Sequence, residues 1–136
     1  MAIAKWATPS SRSSNILSTV ANSLANGSES AVVTYDNSSS KDLYALVTLK
    51  LGSITPASGG TVTLRITYSD GTDTSDKVGG DVYVMSLTSG ASAKVCIAKI
   101  NIQPFSLRFS IVNNAGVTFA ASGNELYVRP WNEDVT

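Results

Sequence analysis

The feature that most limits the fold of this chain is a strict alternation of apolar and polar residues in residues 61–68. One set of alternate positions is apolar and the other is polar: Val62, Leu64, Ile66 and Tyr68 against Thr61, Thr63, Arg65 and Thr67. Successive side chains of a β-strand point to opposite faces, whereas a helix would mix the two sets. The segment therefore predicts a strand with its apolar set in a core and its polar set facing out.

Other segments carry the same signal. In residues 43–51, the positions Leu43, Ala45, Val47, Leu49 and Leu51 are predicted to point one way. Further strands are predicted at 31–36, 82–87, 94–102, 105–112, 117–120 and 125–129, each bounded by Gly, Pro, Asn or Ser. Pro104 predicts a corner or a sheet edge between two of them. About eight short strands without alternating helices predict an all-β fold, an antiparallel β-sandwich or jelly roll.

The N-terminal part follows different patterns. Residues 1–13 are Ser-rich and mostly polar, which predicts an extended arm. Ile16, Leu17, Val20 and Leu24 lie at helical spacing before Asn26 and Gly27, so one short helix is possible over residues 14–26. We therefore expect an arm, 1–13, followed by a single domain, 14–136, which is an ordinary length for one core.

Composition excludes several classes of function. Lys plus Arg and Asp plus Glu both number 10, so the formal net charge is zero and nucleic-acid binding is not expected. No apolar stretch approaches the roughly 20 residues of a membrane span, and the N-terminal residues do not form an apolar export signal. We expect synthesis in a cytoplasm and no membrane partner. Cys96, the single cysteine, is predicted to be a small buried side chain.

Candidate chemistry is sparse. The chain has no histidine, which removes the commonest general base and metal ligand. Ser38 and Lys41 match the S-x-x-K spacing of acyl-transfer enzymes, but they lie in a Ser-rich segment between strands, which favours a loop. The acids of residues 70–81 could bind Ca²⁺, although turn residues explain them more simply. A carboxylate pair for glycoside hydrolysis cannot be placed from the sequence. The sequence predicts no enzyme, no cofactor and no metal.

The two tryptophans, Trp6 and Trp131, lie near the chain ends. Such large apolar groups either cover the domain's own core or anchor the domain on a neighbouring subunit. The second alternative makes the two chain ends a predicted interface. Its candidate residues are Ile3, Lys5, Trp6, Arg12, Arg129 and Trp131.

Four segments resemble a known family. These are Lys5-Trp6, residues 22–27 (NSLANG), Leu43-Tyr44 and residues 115–129 (AGVTFAASGNELYVR). Together they resemble the capsid cement, or decoration, proteins of tailed bacteriophages, especially those of Bordetella-type podophages. The resemblance implies a jelly roll that clamps the lattice of the major capsid protein from outside. It implies a structural virion protein on the capsid exterior, and we expect a homodimer or other homo-oligomer.

Two other functions remain possible at this point. A jelly roll could be a carbohydrate- or receptor-binding module, with Tyr68, Tyr83 or Tyr127 stacking on sugars. It could also be a tail or collar adaptor of the virion. Under the cement hypothesis, removal of residues 1–13 leaves the domain folded but weakens binding to the particle.

Overall fold

A computed structural model describes residues 3–76 and 80–135 of the chain, with the backbone alone at residue 135. The described part is all-β and contains no helix. Its strands are β1 (Ala4–Trp6), β2 (Val33–Asp36), β3 (Tyr44–Ile54), β4 (Thr61–Thr67), β5 (Asp81–Ser86), β6 (Ser92–Asn101), β7 (Ser106–Asn114), β8 (Glu125–Trp131) and β9 (Glu133–Val135). Among these residues there is accordingly no helix that could cross a membrane.

The strands form two main sheets and a small ribbon, with antiparallel pairing throughout. One sheet has the order β2-β7-β4-β5 and the other the order β6-β3-β8, while β1 and β9 pair with each other. Strands β5 and β6 are consecutive along the chain but lie at the edges of different sheets. The predicted antiparallel β-sandwich is confirmed.

The core lies between the two sheets, and it is built from the residues that the alternation predicted. Val62, Leu64 and Ile66 of β4 are completely buried, and Val47 and Leu49 of β3 are 1% exposed. All belong to one apolar cluster that draws on both sheets. Burial of each such side chain contributes about 1.5–3 kcal/mol to folding.

Two details of the alternation differ from expectation. Leu43, predicted to point inward, precedes β3 and is 48% exposed. Thr63 and Ser110 are buried although they occupy the polar, outward positions. Glu29 reaches over this outer face, where it accepts a hydrogen bond from Ser110 Oγ (2.7 Å) and lies 3.1 Å from Arg65 Nε. The outer face of the four-stranded sheet is therefore partly covered.

The predicted helix over residues 14–26 is wrong. The segment is a series of turns whose hydrogen bonds join residues three apart, as in Val20 N to Leu17 O (3.2 Å) and Asn22 N to Thr19 O (3.0 Å). Ser18 and Ser23 have φ values of 52° and 54°, a left-handed conformation that interrupts any helix. Serines favour turns because their hydroxyls compete for backbone groups.

The apolar spacing still marked the side of this segment that faces the core. Leu17 and Ala21 are completely buried, and Ile16, Val20 and Leu24 pack against the same cluster. The four-residue spacing of apolar residues therefore reflects the burial of one side of this segment and not a helical conformation. The prediction of a strand at 117–120 is also wrong: these residues are irregular, and Phe119 reaches the core from a loop.

The segment predicted to be an arm lies along the outer edge of β8; its residues 1 and 2 are outside the described part. After β1, backbone N–H groups donate to carbonyls of the last strands at every third residue: Ala7 to Asn132 (2.8 Å), Ser10 to Pro130 (3.0 Å), Ser13 to Val128 (2.8 Å) and Ile16 to Leu126 (3.0 Å). Ser13 Oγ also accepts from Val128 N (2.9 Å). An edge strand exposes unpaired backbone groups, and here residues 7–16 cover it.

Pro104 lies where the chain passes from β6 in one sheet to β7 in the other, as predicted for a corner. The corner is fixed by Asn37, whose side chain is completely buried. Its Nδ2 donates to the carbonyls of Gln103 (2.7 Å) and Asp42 (3.0 Å), and its Oδ1 accepts from Asp42 N (3.0 Å). One amide therefore joins the β2–β3 turn to the β6–β7 corner.

Candidate docking face

Three aromatic side chains meet on the outside of the molecule. Trp6 of β1 packs edge-on against Tyr44 of β3 and Trp131 of β8, with ring centroids 5.6 and 6.0 Å away. Tyr44 and Trp131 stack on each other at 5.7 Å. Edge-to-face and offset contacts are the favourable geometries of aromatic pairs. The two tryptophans from the chain ends therefore share one cluster.

The ribbon of β1 and β9 holds Trp6 in this cluster. Tyr44 Oη donates to Glu133 Oε1 of β9 (2.8 Å). Asn132 lies between β8 and β9, where its Oδ1 accepts from Leu43 N (2.8 Å) and its Nδ2 donates to Asp42 Oδ1 (2.8 Å). Side-chain hydrogen bonds thus tie the ribbon to the start of β3, which reduces the freedom of Trp6.

The cluster continues into the outer face of the three-stranded sheet. The register places side chains in cross-strand rows: Asn101, Tyr44 and Trp131; Lys99, Leu46 and Arg129; Ile97, Thr48 and Tyr127; Val95, Lys50 and Glu125. We call these rows, together with Trp6, the docking face. Its side chains include tryptophan, tyrosine and arginine, which are enriched at protein interfaces.

Several apolar side chains of the docking face are exposed to an unusual degree for their size. Trp6 is 61% exposed, Val95 and Ile97 are each 59% exposed, and Leu46 is 37% exposed. A groove of about 390 Å³ runs between Trp6, Ala7, Pro9, Leu46, Lys99 and Trp131. Exposed apolar side chains grouped on one face are a feature that many interaction sites share.

The six residues predicted as interface candidates lie as follows. Trp6, Arg129 and Trp131 belong to the docking face. Arg12 places its guanidinium 3.7 Å from the ring centre of Tyr127, over that face. Lys5 is exposed on β1 opposite Asp134, and Ile3 is 63% exposed immediately before β1. The structure thus brings Trp6 and Trp131 together, as a shared interface requires.

Sequence reasoning missed Tyr44, Leu46, Val95, Ile97 and Lys99. A signal for two of them was available, because Tyr44 and Leu46 are large apolar residues at positions of the 43–51 strand that were predicted to point outward. Val95 and Ile97 gave no such signal. They belong to the unbroken run Val95–Ala98, in which the inward and outward sides cannot be separated by hydropathy.

The other candidates from the sequence lie away from this face. Ser38 is in an exposed turn, where its N–H donates to Asp36 Oδ1 (2.8 Å), and Lys41 ends the turn with φ at 53°. Cys96 packs against the core, and burial raises the pKa of its thiol. That shift keeps the thiol protonated and unreactive.

The acidic loop uses its first carboxylate to organise a turn. Asp70 Oδ1 accepts from the backbone N–H groups of Thr72 (2.9 Å) and Asp73 (2.8 Å). Hydrogen bonds from these two N–H groups lower the pKa of Asp70 below its usual value. No group of three or more potential metal ligands lies together among the residues that the structure describes.

A polar cleft lies between the edge strand β5 of one sheet and the edge strand β6 of the other. It is lined by Tyr68, Asp81, Tyr83, Asn101 and Gln103 and has a volume of about 310 Å³. Two of the three tyrosines considered for sugar stacking therefore share a cleft. The third, Tyr127, lies elsewhere, beneath Arg12.

Comparison with known proteins gives few matches. No model of a protein family and no curated protein matches the sequence. Among solved structures, an exo-β-1,3-galactanase from Phanerochaete chrysosporium with galactose is 16% identical, with a TM-score of 0.45; the match covers 95% of this chain and 29% of the galactanase. A carbohydrate-binding module from Cellvibrio mixtus lichenase 5A with cellotriose is 12% identical, with a TM-score of 0.43, over 92% of this chain and 90% of the module. At these TM-scores the matches carry no argument about function.

Proposed function

We propose that this chain is a structural virion protein, a capsid cement protein that docks through its outer three-stranded face onto the assembled lattice of a tailed bacteriophage. The exposed aromatic cluster of Trp6, Tyr44 and Trp131 is the observation that carries the proposal. The resemblance of Lys5-Trp6 and residues 115–129 to cement proteins supplies the identity of the partner, the major capsid protein.

The free energy of docking would come mainly from burial of the exposed Trp6 side chain. A Trp buries up to about 250 Å² when it is covered, and such side chains dominate the free energy of interfaces. Trp6 is already oriented by Tyr44 and Trp131, so little conformational entropy is lost when a partner covers it. Lys99, whose Nζ lies 6.0 Å from the Trp6 ring centre, and Arg129 supply a charged rim.

Cement stabilises by linkage and requires no catalysis. A protein that binds the assembled lattice but not separate subunits shifts the equilibrium towards the lattice by mass action. Many modest contacts over one particle then add together. A rigid β-sandwich with a preformed docking face suits this role.

The test is co-sedimentation of purified protein with assembled capsids of the source phage. We expect Trp6→Ser and Leu46→Lys each to weaken binding about tenfold or more, the effect of removing a central anchor. Val84→Lys is the matched control, because Val84 is 64% exposed on β5, outside the docking face. Circular dichroism and thermal melts establish that all three variants fold.

Two results would contradict the proposal. The first is decoration of capsids by Trp6→Ser and Leu46→Lys with the affinity of the original protein. The second is a copy number of about a dozen per particle, set by a ring of that symmetry, which would indicate a tail or collar adaptor instead of cement.

A further inference from the structure

The polar cleft shares only Asn101 with the docking face, and its lining comes from both sheets. Tyr83 and Asp81 come from β5 of the four-stranded sheet, and Asn101 is the last residue of β6 in the other sheet. Tyr68 follows β4, and Gln103 lies in the corner after β6. The volume, about 310 Å³, falls at the small end of the roughly 300–1,000 Å³ typical of ligand sites.

Two contacts fix the walls of this cleft. Tyr68 Oη donates to Asp81 Oδ2 (2.6 Å), which joins β4 to the first residue of β5. On the opposite wall, the carbonyl of Gln103 accepts from the buried Asn37 Nδ2 (2.7 Å). The cleft is thus held from both sides by side-chain hydrogen bonds, which favours preorganised binding.

The side chains of Tyr83, Asn101 and Gln103 remain available to a ligand. Among the described residues, no side-chain hydrogen bond is formed by Tyr83, Asn101 or Gln103. Each amide offers two donors and an acceptor, and the Tyr83 hydroxyl offers one donor. Burial and the Asp81 carboxylate raise the pKa of Tyr83, so its hydroxyl stays protonated.

We propose that the Tyr68–Tyr83 cleft binds a neutral saccharide. The two half-buried tyrosine rings provide a surface for the apolar face of a pyranose, and Asp81, Asn101 and Gln103 provide closely spaced acceptors and donors for its hydroxyls. The inference goes beyond the cement proposal and does not depend on it, because the cleft and the docking face have only Asn101 in common.

The lining argues against other ligand classes. None of its five residues is a cation, and Asp81 contributes a negative charge, so an anionic ligand would be repelled. A lipid or other apolar ligand would leave the Asn101 and Gln103 amides without hydrogen-bond partners, which is unfavourable. A neutral ligand with several hydroxyl groups offers donors and acceptors to both amides.

The experiment uses the full chain on an array of neutral gluco-, galacto- and manno-configured trisaccharides, with sialylated counterparts, followed by calorimetric titration of the strongest neutral binder. We expect binding to neutral glycans, weakened about tenfold or more in Asn101→Ala and in Tyr83→Ala. Asn114→Ala is the matched control: Asn114 is also an exposed amide at the last position of a strand, β7, outside the cleft.

Each outcome either supports or overturns the proposed saccharide site. Binding that Asn101→Ala and Tyr83→Ala lose, and that Asn114→Ala and Trp6→Ser retain, supports the site. An array without a neutral binder, binding confined to sialylated glycans, or binding that survives both cleft variants overturns it. Because Tyr83→Ala leaves Trp6 unchanged, its decoration of capsids separates a failure of this inference from a failure of the cement proposal.

Discussion

At the scale of single residues, buried asparagines organise the connections of this sandwich. Besides Asn37, Asn113 and Asn124 are at most 2% exposed. Asn113 Nδ2 donates to the carbonyls of Leu24 and Val117, both at 2.8 Å, and Asn124 Nδ2 donates to Ala120 O (2.8 Å). Buried amides are tolerated because their hydrogen bonds are satisfied. The carbonyls that accept from these three Nδ2 groups all lie in irregular segments, which lack the regular pairing of strands.

Substitution at Asn37 tests this role. We expect Asn37→Ala to lower the free energy of unfolding by about 2–3 kcal/mol, because it leaves Asp42 N–H and the carbonyls of Asp42 and Gln103 without their partner. Ser40→Ala, an exposed position in the same turn, is the control and should change stability little. Urea denaturation followed by tryptophan fluorescence measures both. Equal stability of the two variants would show that water replaces the amide.

At the scale of elements, the two sides of the sandwich differ in how their edges end. The edge strand β8 is covered by residues 7–16, while β5 and β6 end their sheets with exposed Val82, Val84, Val95 and Ile97. An uncovered edge with β-branched side chains favours pairing with another chain. The N-terminal segment is therefore both an edge cover and the element that delivers Trp6.

This double role changes the expected outcome of truncation. Deletion of residues 1–13 removes Trp6 and Pro9 from the groove and also exposes the β8 edge. We expect the truncated protein to lose capsid binding and in addition to self-associate at concentrations where the full chain does not. Analytical ultracentrifugation measures the second effect, and Trp6→Ser, which keeps the edge cover, is the control. A truncated chain that sediments like the full chain would contradict the edge-cover role.

The sequence predicted most of the regular elements and little of what joins them. The alternation of apolar and polar residues located β3, β4 and β7, because a strand with one buried face has apolar residues at every second position. Strands β1 and β9 have three residues each, too few to show a period. The irregular course of residues 16–24 depends on left-handed serines and on β8 as a partner, and neither is encoded in apolar spacing.

The candidate docking face could be predicted only in part, because it depends on how distant segments pair. The tryptophans identified both chain ends, but Tyr44 and Leu46 join them only through the register of β3 with β8 and β6. Register is a long-range property that a single sequence does not display. The polar cleft was even less predictable, because its residues come from three separate segments of the chain, at 68, 81–83 and 101–103.

At the scale of the whole molecule, a net charge of zero conceals an uneven distribution. Three of the ten basic residues belong to the rows of the docking face, namely Lys50, Lys99 and Arg129, against one acid, Glu125. Four acids, Asp70, Asp73, Asp76 and Asp81, lie between β4 and the start of β5. The docking face therefore carries a local positive excess, which favours a partner surface of negative potential.

This asymmetry predicts how binding depends on salt. We expect the association rate with capsids to fall several-fold as NaCl is raised from about 0.05 to 0.5 M, while dissociation changes less, since rim charges act mainly on encounter. Arg129→Glu should slow association at low salt, and Asp73→Lys, in the loop between β4 and β5 and outside the rows of the docking face, should not. Surface plasmon resonance on immobilised capsids separates the two rates. An association rate independent of salt would rule out electrostatic steering.

The pairing of β1 with β9 also limits where a tag or a displayed peptide can be attached to the protein. Ala4 lies opposite Val135, so the start of β1 and the end of β9 lie side by side, in the same ribbon as Trp6. A tag or displayed peptide at either terminus would therefore crowd the surface that we propose to meet the capsid. In the turn between β5 and β6, a Cβ added at Gly90 would meet no atom within 4 Å, so this turn offers an internal insertion point away from the ribbon.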